Sequence, residues 1–184
     1  YGGTFVQTED EIAAISMAIG ASYAGRVAVT GSSGPGISLK TEALGWAVMA
    51  EIPLVIVDVQ RGGPSTGMPT NIEQSDLNIA CFGGHGDSPR VVVAPANVED
   101  CFYIAIEAVN IARTYNVPVI ILSDQAIATR IEAFEEPNLE KICQDDFYDL
   151  ILLNRGKIGL DMPFERLGIF QKEAIATVKK YKKP

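Results

Sequence analysis

A chain of 184 residues with 47% hydrophobic and 21% charged residues has the composition of an ordinary globular protein. A chain of that length buries roughly 70% of the surface it exposes when unfolded, so it needs no disulfide or metal staple. Twenty-three acidic against 15 basic side chains leave a net charge of −8, which argues against a nucleic-acid or anionic-membrane partner, since clustered Lys and Arg hold both.

The charge is uneven along the chain: residues 1–134 carry 14 acidic and 6 basic side chains, and residues 135–184 carry nine of each. The composition therefore changes near Phe134, where Glu135-Glu136-Pro137 reads as an exit linker. Cys81, Cys101 and Cys143 are odd in number and far apart, with no Cys-x-x-Cys, so they suit no zinc or cluster site and are expected as small buried apolar residues. No apolar run approaches the roughly 20 residues of a membrane span and no secretory h-region is present, which points to the cytoplasm. The first residue is Tyr1 rather than Met, so further sequence upstream is expected.

In chain order, Thr8-Glu9-Asp10-Glu11 has capping-box spacing, and Ile12, Ile15, Ala18 and Ile19 continue it as a helix reaching Gly25. Residues 26–30 read as a short buried strand, 31–36 as a glycine-rich loop, and 38–49 as a second helix capped by Ser38. A continuous apolar strand over 53–59 follows, then a Gly/Ser-rich loop over 60–71 and a weaker helix over 72–79. A turn at 83–86, a strand over 90–94, a helix opened by Asn97 and Asp100 and ending near Arg113, and a strand over 117–123 complete the clear pattern. Helices alternating with solidly apolar strands predict an α/β fold, doubly wound, with a mostly parallel sheet covered on both faces. Beyond Phe134 the spacing suggests an amphipathic helix over 171–180 and a solvated Lys-rich end.

A single His leaves hydrolase triads little to work with, and His85 in its glycine turn is expected as a turn or interface residue. Gly31-Ser-Ser-Gly-Pro misses the nucleophile elbow, the same loop lacks the Lys of a P-loop, and its glycines do not fit the dinucleotide fingerprint. In a doubly wound sheet ligands gather at the carboxyl ends of the strands. The loops 31–36 and 60–71 both lie there. Arg61, alone among glycines, offers a guanidinium fork for a carboxylate; a loop-bracing salt bridge or an interface pair is the alternative.

Four motifs stand in order: Gln7-Thr-Glu-Asp-Glu-Ile-Ala-Ala14, Thr30-Gly-Ser-Ser-Gly-Pro-Gly36, Val57-Asp-Val-Gln-Arg-Gly-Gly-Pro-Ser-Thr-Gly-Met-Pro-Thr70 and Gly83-Gly-His-Gly-Asp87. Together they resemble the alpha subunit of 2-oxoacid:ferredoxin oxidoreductases, most closely the 2-oxoglutarate type. The resemblance covers roughly residues 4–134. It implies a pyrimidine-binding domain for thiamine diphosphate over 1–134, with 135–184 a C-terminal extension or a fragment of a following domain.

By the same resemblance Glu9 matches the activating glutamate, whose carboxyl bonds the pyrimidine ring nitrogen and favours the imino tautomer that deprotonates the thiazolium. Arg61 matches the arginine for the 2-oxoacid carboxylate and Thr70 a threonine beside the substrate, while Ser32, Ser33 and Gly34 would line the cofactor side of the cleft. The diphosphate with its Mg²⁺, and the iron–sulfur cluster, are expected on a partner beta subunit. Coenzyme A takes the acyl group and ferredoxin the electrons, and the chain alone should be inactive. The family's Tyr-Pro-Ile-Thr-Pro segment would precede the first motif. Two alternatives remain at this point: a pyruvate- or other 2-oxoacid-specific thiamine-diphosphate component, and a non-catalytic flavodoxin-like assembly module.

Overall fold

The computed structural model describes residues 3–138; the expected helix over 171–180, the Lys-rich end and Cys143 lie outside the described residues. Helix α1 (Glu11–Tyr23) is capped by Asp10, whose backbone is extended and whose carboxylate accepts from Ala13 N–H at 2.7 Å. The capping box expected from Thr8 and Glu11 is not formed. Asp caps better than Thr, and the Thr8 hydroxyl instead donates to the Asp10 carbonyl at 3.2 Å.

Strand β1 (Val29–Ser32) starts later than expected and runs into the motif read as a loop, because Gly31 and Ser32 pair in register with Val57 and Asp58. Helix α2 (Gly34–Met49) then begins at once, with Ser33 at its N-cap and Pro35 in its first turn. Ladder pairing on one side outweighs the low strand propensity of glycine, and the fixed φ of proline suits the first helical turn on the other. The glycine-rich motif is thus a strand end joined directly to a helix start.

Strand β2 (Leu54–Gln60) lies between β1 and β4 (Pro118–Asp124), and the short β3 (Val91–Val93) pairs on the far side of β4. The order is β1-β2-β4-β3 and every pairing is parallel. Helix α3 (Leu77–Phe82) starts five residues after the expected position, and α4 (Val98–Tyr115) is capped by Asn97, whose side chain accepts from Asp100 N–H at 2.8 Å. A short helix α5 (Gln125–Thr129), not expected from the spacing, follows β4 directly because Asp124 ends the strand and caps the helix through Ile127 N–H.

Strand alternation divides the interior into two cores. Leu54, Ile56, Ile120 and Leu122 face α1 and α2 with Ile15, Ile19, Ile37 and Leu44, while Val55, Val119 and Ile121 face α4 with Ile104, Ala108 and Ala112. Burying each Val, Leu or Ile stabilises by about 1.5–3 kcal/mol, which makes these two layers the main support of the sheet. Cys81 and Cys101 are free and only half-buried, so the expectation of full burial is corrected. Burial nonetheless pushes the Cys101 thiol up, which keeps it unreactive.

Candidate functional site

Leu54, Ile56, Asp58 and Gln60 share one face of β2, the face that meets α1 and α2. The strand therefore turns from apolar to polar as it approaches its carboxyl end. Gln60 is buried, donates to Ser123 O at 3.1 Å and accepts from Asp76 N–H at 3.0 Å, joining β2, β4 and the start of α3. Asp58 is wholly buried, and neither of its oxygens has a donor among the described residues.

Asp76 at the N-cap of α3 lies against Asp58, and the Gly34 amide at the start of α2, Ser75 and the Arg61 guanidinium all favour its charged form. Burial pushes Asp58 up to about 7, helped by the charge of Asp76 and by their hydrogen bond. Burial raises Asp76 as well, against the pull of the Gly34 amide, Ser75 and the Arg61 guanidinium. Gly34 fits closely there: a Cβ on it would lie 2.9 Å from Asp76 Oδ1.

On the other side of α2, Lys40 is buried and its Nζ donates to Thr30 Oγ1 at 2.7 Å. Burial lowers its pKa, and the nearby Glu11 carboxylate opposes that shift. Glu11 also leans on Gly36, where a Cβ would stand 1.9 Å from Ser32 Oγ and 2.8 Å from Glu11 Cγ. The start of α1 thereby presses on the first turn of α2. Gly36→Ala is expected to push these two helix starts apart, at about 1–3 kcal/mol of stability, measured by urea unfolding. Gly45→Ala, where a Cβ meets nothing within 4 Å, is the control.

The structure places Glu9 at this same edge, exposed, immediately before the Asp10 cap, with no hydrogen bond or ion pair among the described residues. Ser32 ends β1, Ser33 occupies the α2 N-cap with its hydroxyl making no capping bond, and Gly34 opens the helix. Arg61 is half-buried just after β2, and its Nε has no partner. The loop-bracing salt bridge considered for it is not formed, since the one ion pair among the described residues joins Arg130 to Glu132.

Thr70 is exposed, but the loop carrying it closes on itself: Gly62 N–H donates to Asn71 O at 2.9 Å and Met68 N–H to Gly62 O at 3.1 Å. That closure ties Asn71, the residue after Thr70, to Gly62, the residue after Arg61. His85 is exposed in its glycine turn, away from these contacts. Ser32, Gly34 and Gly36 thus meet the starts of α1 and α3 at one edge, with Glu11 against Gly36, Asp76 against Gly34 and the Arg61 charge acting on Asp76. Sequence reading missed Asp58 and Asp76, although a lone carboxylate on the core-facing register of an apolar strand was a usable signal.

The residues present fit an aminopyrimidine, a flat ring edged with donors and acceptors. Glu9 supplies an uncommitted carboxyl, and Ser33 an uncommitted hydroxyl on the adjoining helix start. No group of three or more His, Cys, Asp or Glu side chains among the described residues is placed to hold a metal ion, and no described helix is long and apolar enough to cross a membrane.

A protein-family model described as "Pyruvate flavodoxin/ferredoxin oxidoreductase, thiamine diP-bdg" matches residues 1–183. The chain is 55% identical over 136 residues to the 2-oxoglutarate oxidoreductase subunit KorA of Mycobacterium tuberculosis, covering 74% of this chain and 21% of that protein. It is 51% identical over 142 residues to the 2-oxoglutarate synthase subunit KorA of Archaeoglobus fulgidus, covering 77% and 41%. Among solved structures, a 2-oxoglutarate:ferredoxin oxidoreductase from Magnetococcus marinus with 2-oxoglutarate, coenzyme A and succinyl-CoA bound superposes with a TM-score of 0.68 at 55% identity, over 69% of this chain and 22% of that one. The chain thus spans between about a fifth and two fifths of the length of these relatives. With the parallel α/β sheet and three of the four motifs meeting at one edge of it, the chain belongs to the pyruvate flavodoxin/ferredoxin oxidoreductase family, in its thiamine-diphosphate-binding part.

Proposed function

We propose that the chain is the cofactor-activating part of the alpha subunit of a 2-oxoglutarate:ferredoxin oxidoreductase. Such an enzyme decarboxylates a 2-oxoacid oxidatively to an acyl-CoA and passes the electrons to ferredoxin. What supports the reading is the approach of the motifs carrying Glu9, Ser32, Ser33, Gly34 and Arg61 at the carboxyl edge of the sheet, with Thr70 in the loop that follows and Glu9 free of any partner among the described residues. A non-catalytic module has no need for that convergence. The 2-oxoglutarate names of the relatives favour that substrate over pyruvate.

Thiamine diphosphate, when bound, would supply a carbon nucleophile and an electron sink for decarboxylation. Glu9 holds a proton at the pyrimidine ring nitrogen, Ser32, Ser33 and Gly34 line the ring, and Arg61 binds the substrate carboxylate with Thr70 beside it. In this reading residues 1–134 form the pyrimidine-binding domain and 135–184 an extension or part of a following domain. The partner beta subunit supplies Mg²⁺ for the diphosphate and the iron–sulfur cluster, so activity requires both chains in the cytoplasm.

The test is Arg61→Ala in the full complex, assayed with 2-oxoglutarate and coenzyme A. Loss of a charge-assisted hydrogen bond worth about 1.5–3 kcal/mol is expected to raise KM roughly 10- to 100-fold. An unchanged KM removes Arg61 from the substrate site.

A further inference from the structure

We propose that Asp58 and Asp76 share a single proton and, in that singly charged form, position Arg61 for the substrate carboxylate, which makes Asp58 a positioning residue for 2-oxoacid binding. The inference rests on the reading of Arg61 given above, and it adds two residues that reading does not use. It begins with burial: Asp58 is 0% exposed and both its oxygens lack a donor. An ionised carboxylate in that setting costs several kcal/mol. A neutral acid instead donates, and Asp76 is the partner placed to accept.

Asp76 is suited to keep the charge. Its Oδ1 lies against Gly34 at the positive end of α2, and the Gly34 amide, Ser75 and the Arg61 guanidinium all favour its charged form. The direction of the shift on Asp58 agrees, with burial and the charge of Asp76 both favouring its neutral form.

The other charged groups around the pair are balanced elsewhere. Lys40 on α2 is bonded to Thr30 and near Glu11 of α1, Asp124 at the end of β4 accepts from Gln74 and Ile127 N–H, and Glu73 accepts from Gly63 N–H. Arg61 is therefore the cation whose setting the pair controls. One negative charge steadies the guanidinium and leaves it open to an anion. Two negative charges, once Asp58 ionises, draw it inward and repel the incoming carboxylate.

The experiment follows KM for 2-oxoglutarate against pH in the assembled complex, for the native chain and for Asp58→Asn, beside infrared difference spectra of both. The native KM is expected to rise about tenfold between about pH 6.5 and about pH 8.5, while the variant stays within about twofold over the same range. The change falls on KM rather than kcat. The native complex should also show the carbonyl stretch of a protonated carboxyl that is absent from the variant and disappears as pH rises. A variant profile that follows the native one overturns the positioning role, and a native complex lacking the band overturns the shared proton. Neither native measurement depends on the variant folding, and a flat native KM also overturns the proposal. The infrared band needs no substrate, so failure of the Arg61 assignment shows in Arg61→Ala and leaves the band in place.

Discussion

Replacing Glu9 by Gln is expected to lower turnover of the assembled complex by roughly a hundredfold or more, the upper part of what one positioned acid contributes. The amide keeps the size of the side chain but cannot exchange the proton that the pyrimidine nitrogen requires. The fold should not register the change. Glu9 is exposed, precedes the Asp10 cap and has no partner among the described residues, so its effect on stability stays within about 0.5 kcal/mol. The check is viologen reduction with 2-oxoglutarate, thiamine diphosphate, Mg²⁺ and coenzyme A, with assembly followed by size-exclusion chromatography. Normal turnover in an intact complex would reduce Glu9 to an acid at a helix start.

Asp58→Asn should stabilise the chain at alkaline pH, an unusual outcome for a change in a buried strand. The folded-state value of Asp58 is raised from 3.8 to about 7. Between those two values the folded chain holds a proton that the unfolded chain has released, so stability falls as pH rises, by about 1.4 kcal/mol per unit. Below the lower value the group contributes no difference, and above the upper one its full cost is present. An amide of the same shape donates to Asp76 at every pH and removes that slope. Urea unfolding of the two chains should therefore diverge from about pH 4 upward, reaching a gain of about 4 kcal/mol near pH 8. Parallel curves across the range would show that Asp58 ionises freely in the folded state.

The doubly wound architecture was legible because its strands announce themselves: residues 54–57 and 119–122 are unbroken apolar runs, and such runs form central parallel strands. The ends of elements were less legible. At 31–36 the glycines suggested a loop, yet pairing with β2 carries β1 through Ser32, and α2 starts two residues later. A tertiary contact that no local window contains decided that boundary. The same holds at Thr8, where two capping residues compete within three positions and the stronger acceptor wins. Glu9, Arg61 and Thr70 became candidates because they stand in recognisable runs. The pair of Asp58 and Asp76 did not, because the two carboxyls lie far apart in the chain and meet only when Gln60 at the end of β2 binds the Asp76 amide at the start of α3. Asp58 alone carried a signal, as a carboxylate on the core-facing register of an apolar strand, whereas Asp76 carried none.

The loop over residues 61–71 carries a thermodynamic consequence. Gly62 is tied to Asn71 and Met68, Gly63 to Glu73, and the Arg61 carbonyl to Ser75, all within the chain itself. Its conformational entropy, about 1–2 kcal/mol for each residue fixed, is lost when the protein folds and not when a ligand arrives. A ligand reaching Arg61 therefore meets a preorganised surface, and its contacts appear in the affinity undiminished by ordering of the loop. Damage to those internal ties would register as weaker binding even where every ligand contact is kept.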